Sequence, residues 1–390
     1  MQDLQLTTHD SRLNIICFDV PFPADYGGSM EEFYKLKALA ELGVKIHLHC
    51  FVYGDRKPQD ELKKYCEQVY YYERKKSITD VFSNIPFIVK TRANEELLQN
   101  LLNNDFPILF DATHSTFYLN HPALKDRKKH VRLHNIEWIY YSILSSSSYT
   151  LKEQIFHFLE YKKLRKYDET LINADSLSCL SQTDYDYYSI KFPNKKISLE
   201  YVFHENTAIK CKTGKGNYIL YHGNLSVLDN YKTVMDLLNN ELENCTHNII
   251  IAGKNPPEQL KELVERRPNI HLLANPSNEQ LDELIMNAQI CFAVAGNPSG
   301  IKLKLINSMY RGRFIFSNEA AFAGSGLDAC VVNMNDFTEE LLNEYMQKEF
   351  TQAEVDKRTQ ILNAQYNNLN NAQRLADRIF NNLDDAPDTD

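Results

Sequence analysis

The residues best suited to chemistry lie in one block, GIKLKLINSMYRG, which runs from Gly300 to Gly312 and precedes the apolar run Phe314–Phe316. This pattern predicts a glycine turn, a helix, a second glycine and a buried strand. A turn that opens a helix presents free backbone N–H groups and the positive end of the helix dipole to an anion. Lys302 and Lys304 fall in the first helical turn, where cations rarely stabilise a helix. A bound phosphate would explain their placement; the alternative is a surface helix that carries two lysines.

Two further polar clusters follow apolar runs in the first half of the chain. His114 comes after the run Ile108–Asp111. A denser cluster lies at the end of the run His130–Leu133. It comprises Arg132 within the run and His134, Asn135 and Glu137 after it. Because the carboxyl ends of parallel strands meet at one edge of a sheet, both clusters are predicted to line a ligand site. The alternatives are that His114 caps the next helix and that His134 holds its own loop together.

Glycine-containing turns follow several of the apolar runs. Before the first helix the chain carries Gly27 and Gly28, and a glycine pair allows a ligand to approach the backbone closely. The strand-end turns of the second half carry Gly223, Asn224, Gly253 and Lys254, besides the Gly300 block. Three such turns on one edge would form a surface shaped for a nucleotide and its phosphates. The absence of GxGxxG argues against a nicotinamide enzyme, and the absence of GxxxxGK[ST] argues against kinase or ATPase chemistry.

Short apolar runs alternate with helical segments, which predicts βαβ units and doubly wound parallel sheets. The predicted strands of the first half are Leu13–Phe18, Val44–Val52, Gln68–Tyr72, Ile108–Asp111, His130–Leu133 and Ser176–Cys179. Those of the second half are Tyr218–His222, Asn248–Ala252, Ile270–Leu273, Ile290–Ala295 and Phe314–Phe316. The predicted fold class is α/β, with two Rossmann-like αβα domains facing one another across a cleft, where a ligand is expected.

The boundary between the two halves is predicted near residues 200–215, where the segment Lys210–Asn217 is typical of an exposed connector. We therefore predict an N-terminal domain over residues 1–205 and a C-terminal domain over residues 206–350. A polar helix is predicted over residues 351–383, and the acidic tail 384–390 is predicted to be disordered.

The composition argues against several functional classes. The 390-residue chain has a formal net charge of −9 and no basic arm, which disfavours a nucleic-acid binder. No apolar run approaches the length of a membrane span, and the N-terminus lacks the blocks of a signal peptide. Basic runs at 125–129 and 162–166 are predicted to be mostly solvated, although such a run can contact anionic lipid.

Eight cysteines are scattered through the chain without a CxxC pair. Four of them, Cys17, Cys50, Cys179 and Cys291, fall inside apolar runs. They are interpreted as buried, reduced thiols of a cytoplasmic protein rather than as a disulfide framework or a zinc site. No metal site is predicted.

The order of the motifs resembles that of retaining glycosyltransferases of the GT-B fold, close to the family 4 group. The resemblance covers nearly the whole chain. It rests on the Gly-Gly loop, the strand-end histidine, the segments RLHNIE and SCLSQTDYDYY, the YHGNL opening of the second half and the block GIKLKLINSMYRGRFIFSN.

The resemblance implies a nucleotide sugar on the C-terminal domain and an acceptor on the N-terminal domain. Lys302 would stabilise the departing nucleoside diphosphate, and His114 would contact the donor sugar near the reacting carbon; these two are the implied catalytic residues. The implied donor-binding residues are Gly27, Gly28, Gly223, Asn224, Gly253, Lys254, Gly300, Ile301, Lys304 and Asn307. The implied acceptor or cleft residues are Arg132, His134, Asn135 and Glu137. The C-terminal helix would cross back onto the N-terminal domain.

The chain departs from the family at informative positions. Two glutamates eight positions apart are usual in the donor block, and here those positions hold Ser299 and Asn307. An amide offers one acceptor and one donor where a carboxylate only accepts, so ribose binding would be altered. The arginine that often follows the first strand of the second domain is also missing, with Asn224 near its place. No DxD pair is evident at the site, so metal-independent chemistry with no cofactor beyond the nucleotide-sugar co-substrate is expected.

The sequence therefore predicts a sugar-nucleotide-dependent glycosyltransferase, acting with retention on a glycan or lipid-linked acceptor of a bacterial surface polysaccharide. A cytoplasmic location is predicted, with peripheral contact with the inner membrane as an option and no nucleic-acid partner. Two alternatives stay open: a sugar-nucleotide 2-epimerase on the same fold, and a non-catalytic scaffold or binding protein.

Overall fold

The computed structural model describes residues 11–148 and 150–381. The predicted disorder of residues 384–390 lies outside these described residues. The chain divides into two compact units. Unit 1 runs to Glu205 and resumes at Tyr366, and unit 2 comprises Asn206–Gln365.

Unit 1 is built on a seven-stranded parallel sheet. Its strands are β1 (Arg12–Ile16), β2 (Lys45–Val52), β3 (Gln68–Glu73), β4 (Ile108–Asp111), β5 (Lys129–Leu133), β6 (Ser176–Cys179) and β7 (Lys196–Leu199). They lie in the order β3-β2-β1-β4-β5-β6-β7. All residues of β4, β5 and β6 are buried, because helices cover both faces of a parallel sheet.

Within residues 11–148 and 150–205, unit 1 contains six α-helices. They are α1 (Gly27–Glu41), α2 (Phe87–Lys90), α3 (Glu95–Leu102), α4 (Glu137–Ser147), α5 (Leu151–Tyr167) and α6 (Gln182–Lys191). Helix α1 packs Phe33, Leu36 and Leu39 against the buried side of β1 and β2. Apolar side chains spaced three apart form one face of a helix, which explains why this segment is helical and which side of it is buried.

Unit 2 is built on a six-stranded parallel sheet. Its strands are β8 (Ile219–Asn224), β9 (Ile249–Lys254), β10 (Ile270–Ala274), β11 (Ile290–Phe292), β12 (Phe314–Ser317) and β13 (Val332–Asn333). Its helices are α7 (Leu228–Asn239), α8 (Glu258–Glu265), α9 (Asn278–Asn287), α10 (Leu303–Arg311), α11 (Glu319–Phe322), α12 (Glu339–Gln347) and α13 (Gln352–Gln365). The strand order β10-β9-β8-β11-β12-β13 is that of a Rossmann sheet.

The predicted α/β class with two Rossmann-like units is confirmed by this topology. Two strands were not predicted, Lys196–Leu199 and Val332–Asn333, and both are short and lie at sheet edges. The predicted strand Ile290–Ala295 ends earlier, at Phe292, although the next three residues are also buried. Burial and apolar character thus persist beyond the last strand residue.

The helix predicted over residues 351–383 is interrupted. Helix α13 ends at Gln365, and a second helix, α14, spans Asn368–Asn381. Tyr366 and Asn367 separate them, and the Asn367 Oδ1 accepts a hydrogen bond from the Asn370 N–H at 3.0 Å, as an N-cap does. Helix α13 belongs to unit 2, whereas α14 packs in unit 1, where Leu375 and Ile379 join the core under α1.

The four cysteines predicted to be buried have no exposed surface, and all eight thiols are unpaired. No helix within residues 11–148 and 150–381 is long and apolar enough to cross a membrane.

Candidate functional site

The first candidate site lies in unit 2, at the carboxyl ends of β8 and β11. These strands are neighbours, but the chain continues from β8 to β9 on one side and from β11 to β12 on the other side. At such a switch point the loops diverge and leave a crevice at the carboxyl ends of the strands. The loops here are the turn after Asn224 and the segment from Gly296 to Gly300.

Gly300 adopts a left-handed conformation with φ of +68°, which suits glycine and turns the chain into α10. Lys302 occupies the N-cap of this helix rather than its first turn, and its side chain makes no capping hydrogen bond. The Lys302 side chain therefore does not cap the N–H groups of the first turn. Of these groups, among the residues that the structure describes, only the Leu305 N–H is seen to bond back to the Lys302 carbonyl oxygen, at 2.8 Å, and an anion can approach this end of the helix.

The two lysines of the block lie in different surroundings. The Lys302 Nζ donates to the carbonyl oxygens of Ser299 and, at 3.4 Å, of Gly300. The Lys304 Nζ donates to Asn230 Oδ1 at 3.0 Å and lies 5.2 Å from the centre of the Tyr221 ring. Burial lowers the pKa of Lys304 to about 8. Both ammonium groups thus lie near the Gly300 turn, one against the turn itself and one against the start of α7.

The two positions where the family resemblance predicts glutamates hold the neutral residues Ser299 and Asn307. The Ser299 N–H donates to Asn297 Oδ1 at 2.8 Å. The Asn307 Oδ1 accepts from Asn206 Nδ2 at 2.9 Å, so its one acceptor oxygen already has a partner. Ile301, between Gly300 and the helix, offers only its backbone to a polar ligand.

The three glycine turns lie side by side, since β9, β8 and β11 are adjacent in the sheet. A Cβ on Gly253 would approach the Gly223 carbonyl oxygen to 2.1 Å, so this glycine is required by strand packing. The Asn224 Oδ1 accepts from the N–H and Oγ of Ser226 and closes its own turn, while Lys254 is exposed. Packing therefore accounts for Gly253 without a ligand.

The second candidate site lies in unit 1, at the carboxyl ends of β1 and β4, where the strand order again reverses. After β4, Ala112 has a φ of +60°, a conformation that is strained for a residue with a Cβ. Its N–H donates to the Arg132 carbonyl oxygen at 2.8 Å, which holds the turn and places His114 beyond the strand end.

Phe18, just beyond β1, packs against two histidines. Its ring centre lies 5.1 Å from that of His114 and 5.6 Å from that of His134, both edge to face. A Cβ on Gly28 would lie 2.7 Å from the Phe18 ring, so this glycine makes room for the aromatic side chain. Gly27 and Gly28 form the start of α1 rather than the preceding loop.

The two histidines pair with different carboxylates. The His114 Nε2 lies 3.2 Å from Glu137 Oε1, whereas His134 Nε2 lies 2.8 Å from Asp111 Oδ1. Burial lowers the pKa of His114, although Glu137 opposes this shift, so its imidazole is neutral at pH 7. No described residue hydrogen-bonds to either ring nitrogen of His114, although the Glu137 carboxylate lies close to Nε2.

Arg132, predicted as an acceptor or cleft residue, has no exposed surface. Its Nε donates to Glu31 Oε1 at 2.6 Å, and its Nη2 donates to the carbonyl oxygens of Glu200 and Tyr201. A side chain enclosed in this way is not placed to contact an acceptor. The structure therefore corrects that prediction and assigns Arg132 to the interior of unit 1.

Glu31 and Lys35 of α1 continue this ionic network. The Lys35 Nζ donates to Asp111 Oδ2 and lies 3.7 Å from Glu31 Oε1, and all three side chains are buried. Burial would raise the pKa of Asp111, but Lys35 and His134 hold it well below its usual range. The network thus fixes the Asp111 carboxylate, which orients His134.

Asp111 also belongs to a buried group with Cys17 and Glu32, whose ligand atoms lie within 4.8 Å of one another. Three such atoms can hold a metal ion, but the Lys35 ammonium is already bonded to Asp111. Burial raises the pKa of Glu32 well above its usual range, and its Oε1 accepts the Phe18 N–H at 3.1 Å. This group therefore helps to position Phe18, which packs against both histidines.

Sequence reasoning missed several residues of both sites, namely Phe18, Glu31, Lys35, Asp111, Tyr221 and Asn230. Asn230 lies six residues beyond Asn224 at the start of α7, and this nearness to the strand-end turn was the available signal. Asn135 and Glu137 lie where they were predicted, just beyond β5, and Glu137 alone of the two contacts a histidine.

Comparison with known proteins yields no matching family model. An uncharacterized 44.6 kDa protein in the cps region of Klebsiella pneumoniae is 25% identical over 339 residues, which cover 81% of this chain and 85% of that protein. The apo structure of OtsA superimposes with a TM-score of 0.63 at 11% identity, over 95% of this chain and 99% of that one.

A third similar protein is an α,α-trehalose-phosphate synthase (UDP-forming) from Burkholderia xenovorans, solved in complex with glucose-6-phosphate. It has a TM-score of 0.62 at 12% identity, covering 95% of this chain and 99% of that one. The chain has the GT-B fold. A GT-B protein carries two Rossmann-like units, and in this chain each of them has a candidate site at its switch point.

Proposed function

We propose that the protein is a glycosyltransferase that moves a sugar from a nucleotide-sugar donor to an acceptor, with retention of anomeric configuration. The observation that carries this proposal is the Gly300 turn of unit 2, with Lys302 and Lys304 beside an uncapped helix start at the β8/β11 switch point. Backbone N–H groups and two ammonium groups suit a diphosphate. As the glycosidic bond breaks, charge develops on the nucleoside diphosphate, and positive groups placed in advance stabilise it.

The unit 1 site would serve the sugar and the acceptor. A neutral His114 can hydrogen-bond to a sugar hydroxyl, which would satisfy its unpartnered Nδ1. The Glu137 carboxylate, 3.2 Å from Nε2, would favour the tautomer that carries its proton on Nε2. His134, Asn135 and the backbone around them extend the surface that an acceptor would contact.

The acceptor class is inferred from the relative in Klebsiella pneumoniae, whose description places it in a cps region. We infer that the acceptor is a glycan or a lipid-linked glycan of a surface polysaccharide. The donor groups would be Lys302 and Lys304 with the backbone at Gly300 and Ile301. Metal-independent transfer and a cytoplasmic location stay predictions.

One observation favours a second candidate function, a GT-B protein that binds without turnover. Ser299 and Asn307 stand where carboxylates are usual, and the Asn307 acceptor oxygen is engaged by Asn206. A ribose bound there would find no carboxylate at either position. Nucleotide binding in such a protein would not lead to transfer.

The test is thermal stabilisation of the protein by a panel of nucleoside diphosphates and nucleotide sugars, followed by an assay for released nucleoside diphosphate. A shift with one base, together with release of its diphosphate when acceptor glycans are added, would support the transferase. Stabilisation without release would favour the binding protein, and conversion of the donor sugar without release would favour the 2-epimerase. No stabilisation by any nucleotide would contradict the proposed donor site.

The pH dependence of transfer should reflect His114. Because burial lowers its pKa below the ordinary value of 6.5, we expect protonation of His114 to lower the rate only below pH 6.5, whereas a loss of rate toward pH 8 would belong to Lys304, whose pKa is lowered to about 8. In His114→Gln the side chain at this position cannot titrate, so the fall in transfer rate at low pH that is attributed to His114 should disappear. If the wild-type rate falls toward low pH with a midpoint above pH 6.5, and the variant shows the same fall, another group controls the rate.

A further inference from the structure

The helices α4 and α5 form an antiparallel pair with little buried surface. Among their residues, all of which the structure describes, those that are buried are Glu137, Glu160 and Leu164. A surface helix of a globular protein normally buries an apolar stripe along its length. Most apolar side chains of this pair are instead half-buried or exposed.

One face of α5 carries four exposed apolar side chains. They are Leu151, Ile155, Phe158 and Leu159, with exposed fractions of 71%, 52%, 48% and 45%. Their spacing of four, three and one residues places them on the same side of a helix. We call this side, together with the cations described below, the outer face of α5.

The opposite side of α5 is fixed to the body of unit 1. The Glu160 Oε2 accepts the Phe87 N–H at 2.6 Å, and Phe156 packs edge to face on the Phe87 ring with centres 5.8 Å apart. Leu164 joins a small core with Ile88 and Val89. Because these contacts hold the inner side, the outer face cannot turn inward to bury its apolar groups.

Phe82 enlarges the apolar surface. It ends the short 3-10 helix Ile78–Phe82, and 83% of it is exposed. The preceding carbonyl oxygen, of Val81, accepts a hydrogen bond from Lys163 Nζ at 2.5 Å. This contact ties the 3-10 helix to α5, so that Phe82 lies near the same helix as the four apolar side chains.

The charges on the outer face are positive although the whole chain is acidic. The chain has a formal net charge of −9, yet α5 contains five lysines and arginines against two glutamates. One of the glutamates, Glu160, is buried and paired with Lys163 at 2.9 Å. The exposed cations are Lys152 at the start and Lys162, Arg165 and Lys166 along the last turns. Lys162 lies on the apolar face itself, with Nζ 5.2 Å from the centre of the Phe158 ring.

We propose that the outer face of α5, together with Phe82, docks on an anionic lipid surface. Phenylalanine, leucine and isoleucine would enter the boundary between headgroups and acyl chains, and the cations of the last turns would contact lipid phosphates. A purely apolar partner would leave these cations unpaired, whereas an anionic bilayer satisfies both sets of groups. This inference does not rest on the proposed sugar transfer.

The experiment is sedimentation of the protein with vesicles of phosphatidylglycerol and phosphatidylcholine in equal parts, compared with vesicles of phosphatidylcholine alone. We expect binding to the anionic vesicles and little to the neutral ones. The triple variant Lys162→Gln, Arg165→Gln, Lys166→Gln should bind on the order of 100-fold more weakly, since each cation near the surface contributes roughly fivefold. Phe158→Ser with Ile155→Ser should also lose binding.

The matched control is Ile190→Ser, since this isoleucine of α6 is 82% exposed but lies on another helix of unit 1. It should bind vesicles like the wild type, and all variants should keep the wild-type melting temperature because the changed side chains are exposed. Failure of the wild type to bind anionic vesicles would overturn the proposal. So would binding that the α5 variants leave unchanged, or a wild-type dimer that Phe158→Ser dissociates without any vesicle binding.

Discussion

Replacing Lys302 by alanine is expected to lower the transfer rate by a factor of about 10²–10³ and to leave the fold intact. Its ammonium lies against the carbonyl oxygens of the Gly300 turn, beside the uncapped start of α10. In the proposed reaction this is where the diphosphate gains negative charge. Losing a positive group there would raise the barrier of the chemical step more than it weakens donor binding. The measurement is the release of nucleoside diphosphate at saturating donor.

Two variants make this test specific. Lys302→Arg keeps the positive charge and should retain much of the rate, while differing in hydrogen-bond geometry. Lys261→Ala removes an exposed lysine of α8 that pairs with Glu258, and it should behave as the wild type. Normal transfer by Lys302→Ala would exclude the proposed role, whereas equal losses in Lys302→Ala and Lys261→Ala would point to a general effect of charge.

Lys304 shows why the position of the two lysines could be predicted from the sequence, whereas the different surroundings of each lysine could not. The sequence places both cations near a glycine turn, and the structure confirms that placement. The hydrogen bond from Lys304 to Asn230 joins residues 74 positions apart. Neither this contact nor the burial that lowers the pKa of Lys304 to about 8 follows from local spacing. Such effects depend on which loops meet at the sheet edge.

The strand ends were predictable because each central strand is a short apolar run followed by a polar turn. His114 and His134 were therefore placed correctly at the ends of β4 and β5. Their partners were not, since Phe18 comes from a different strand end and Asp111 was taken only as the last residue of its strand. A period-two or apolar-run pattern identifies strands, but it does not show which side chains meet across them.

The glycines illustrate a second limit. Gly28 and Gly253 were interpreted as places where a ligand approaches the backbone. In the structure a Cβ at Gly28 would meet the Phe18 ring, and a Cβ at Gly253 would meet the neighbouring strand. A sequence shows that a side chain is absent, whereas the group that fills the space is known only from the fold. Gly300, with its positive φ, is the glycine whose turn was correctly predicted.

The largest effect on stability is expected for Arg132→Ala. Truncation would leave Glu31 without its closest cation and remove a bond to the Glu200 carbonyl oxygen, all in the interior of unit 1. Breaking a buried ion pair by removing one partner costs about 3–5 kcal/mol. For a unit of this size the melting temperature should fall by roughly 10 °C. Scanning calorimetry measures it, and Arg374→Ala, which removes an exposed arginine of α14, serves as the control and should change little.

The pH dependence of the stability loss in Arg132→Ala distinguishes the effect of the unpaired Glu31 charge from the effect of the lost side-chain volume. In the wild type, burial would raise the pKa of Glu31, but Arg132 and Lys35 hold it below its ordinary value of 4.5. Its contribution to stability is therefore present above pH 4.5 and is lost as the pH falls through the lower folded-state pKa. Without Arg132 the Glu31 pKa should rise, so that the carboxylate can become neutral by protonation at mildly acid pH. The melting temperatures of wild type and variant should then differ less at pH 5 than at pH 7.5, because a neutral Glu31 needs no cation. An equal difference at both pH values would mean that the lost volume, rather than the unpaired charge, destabilises the variant.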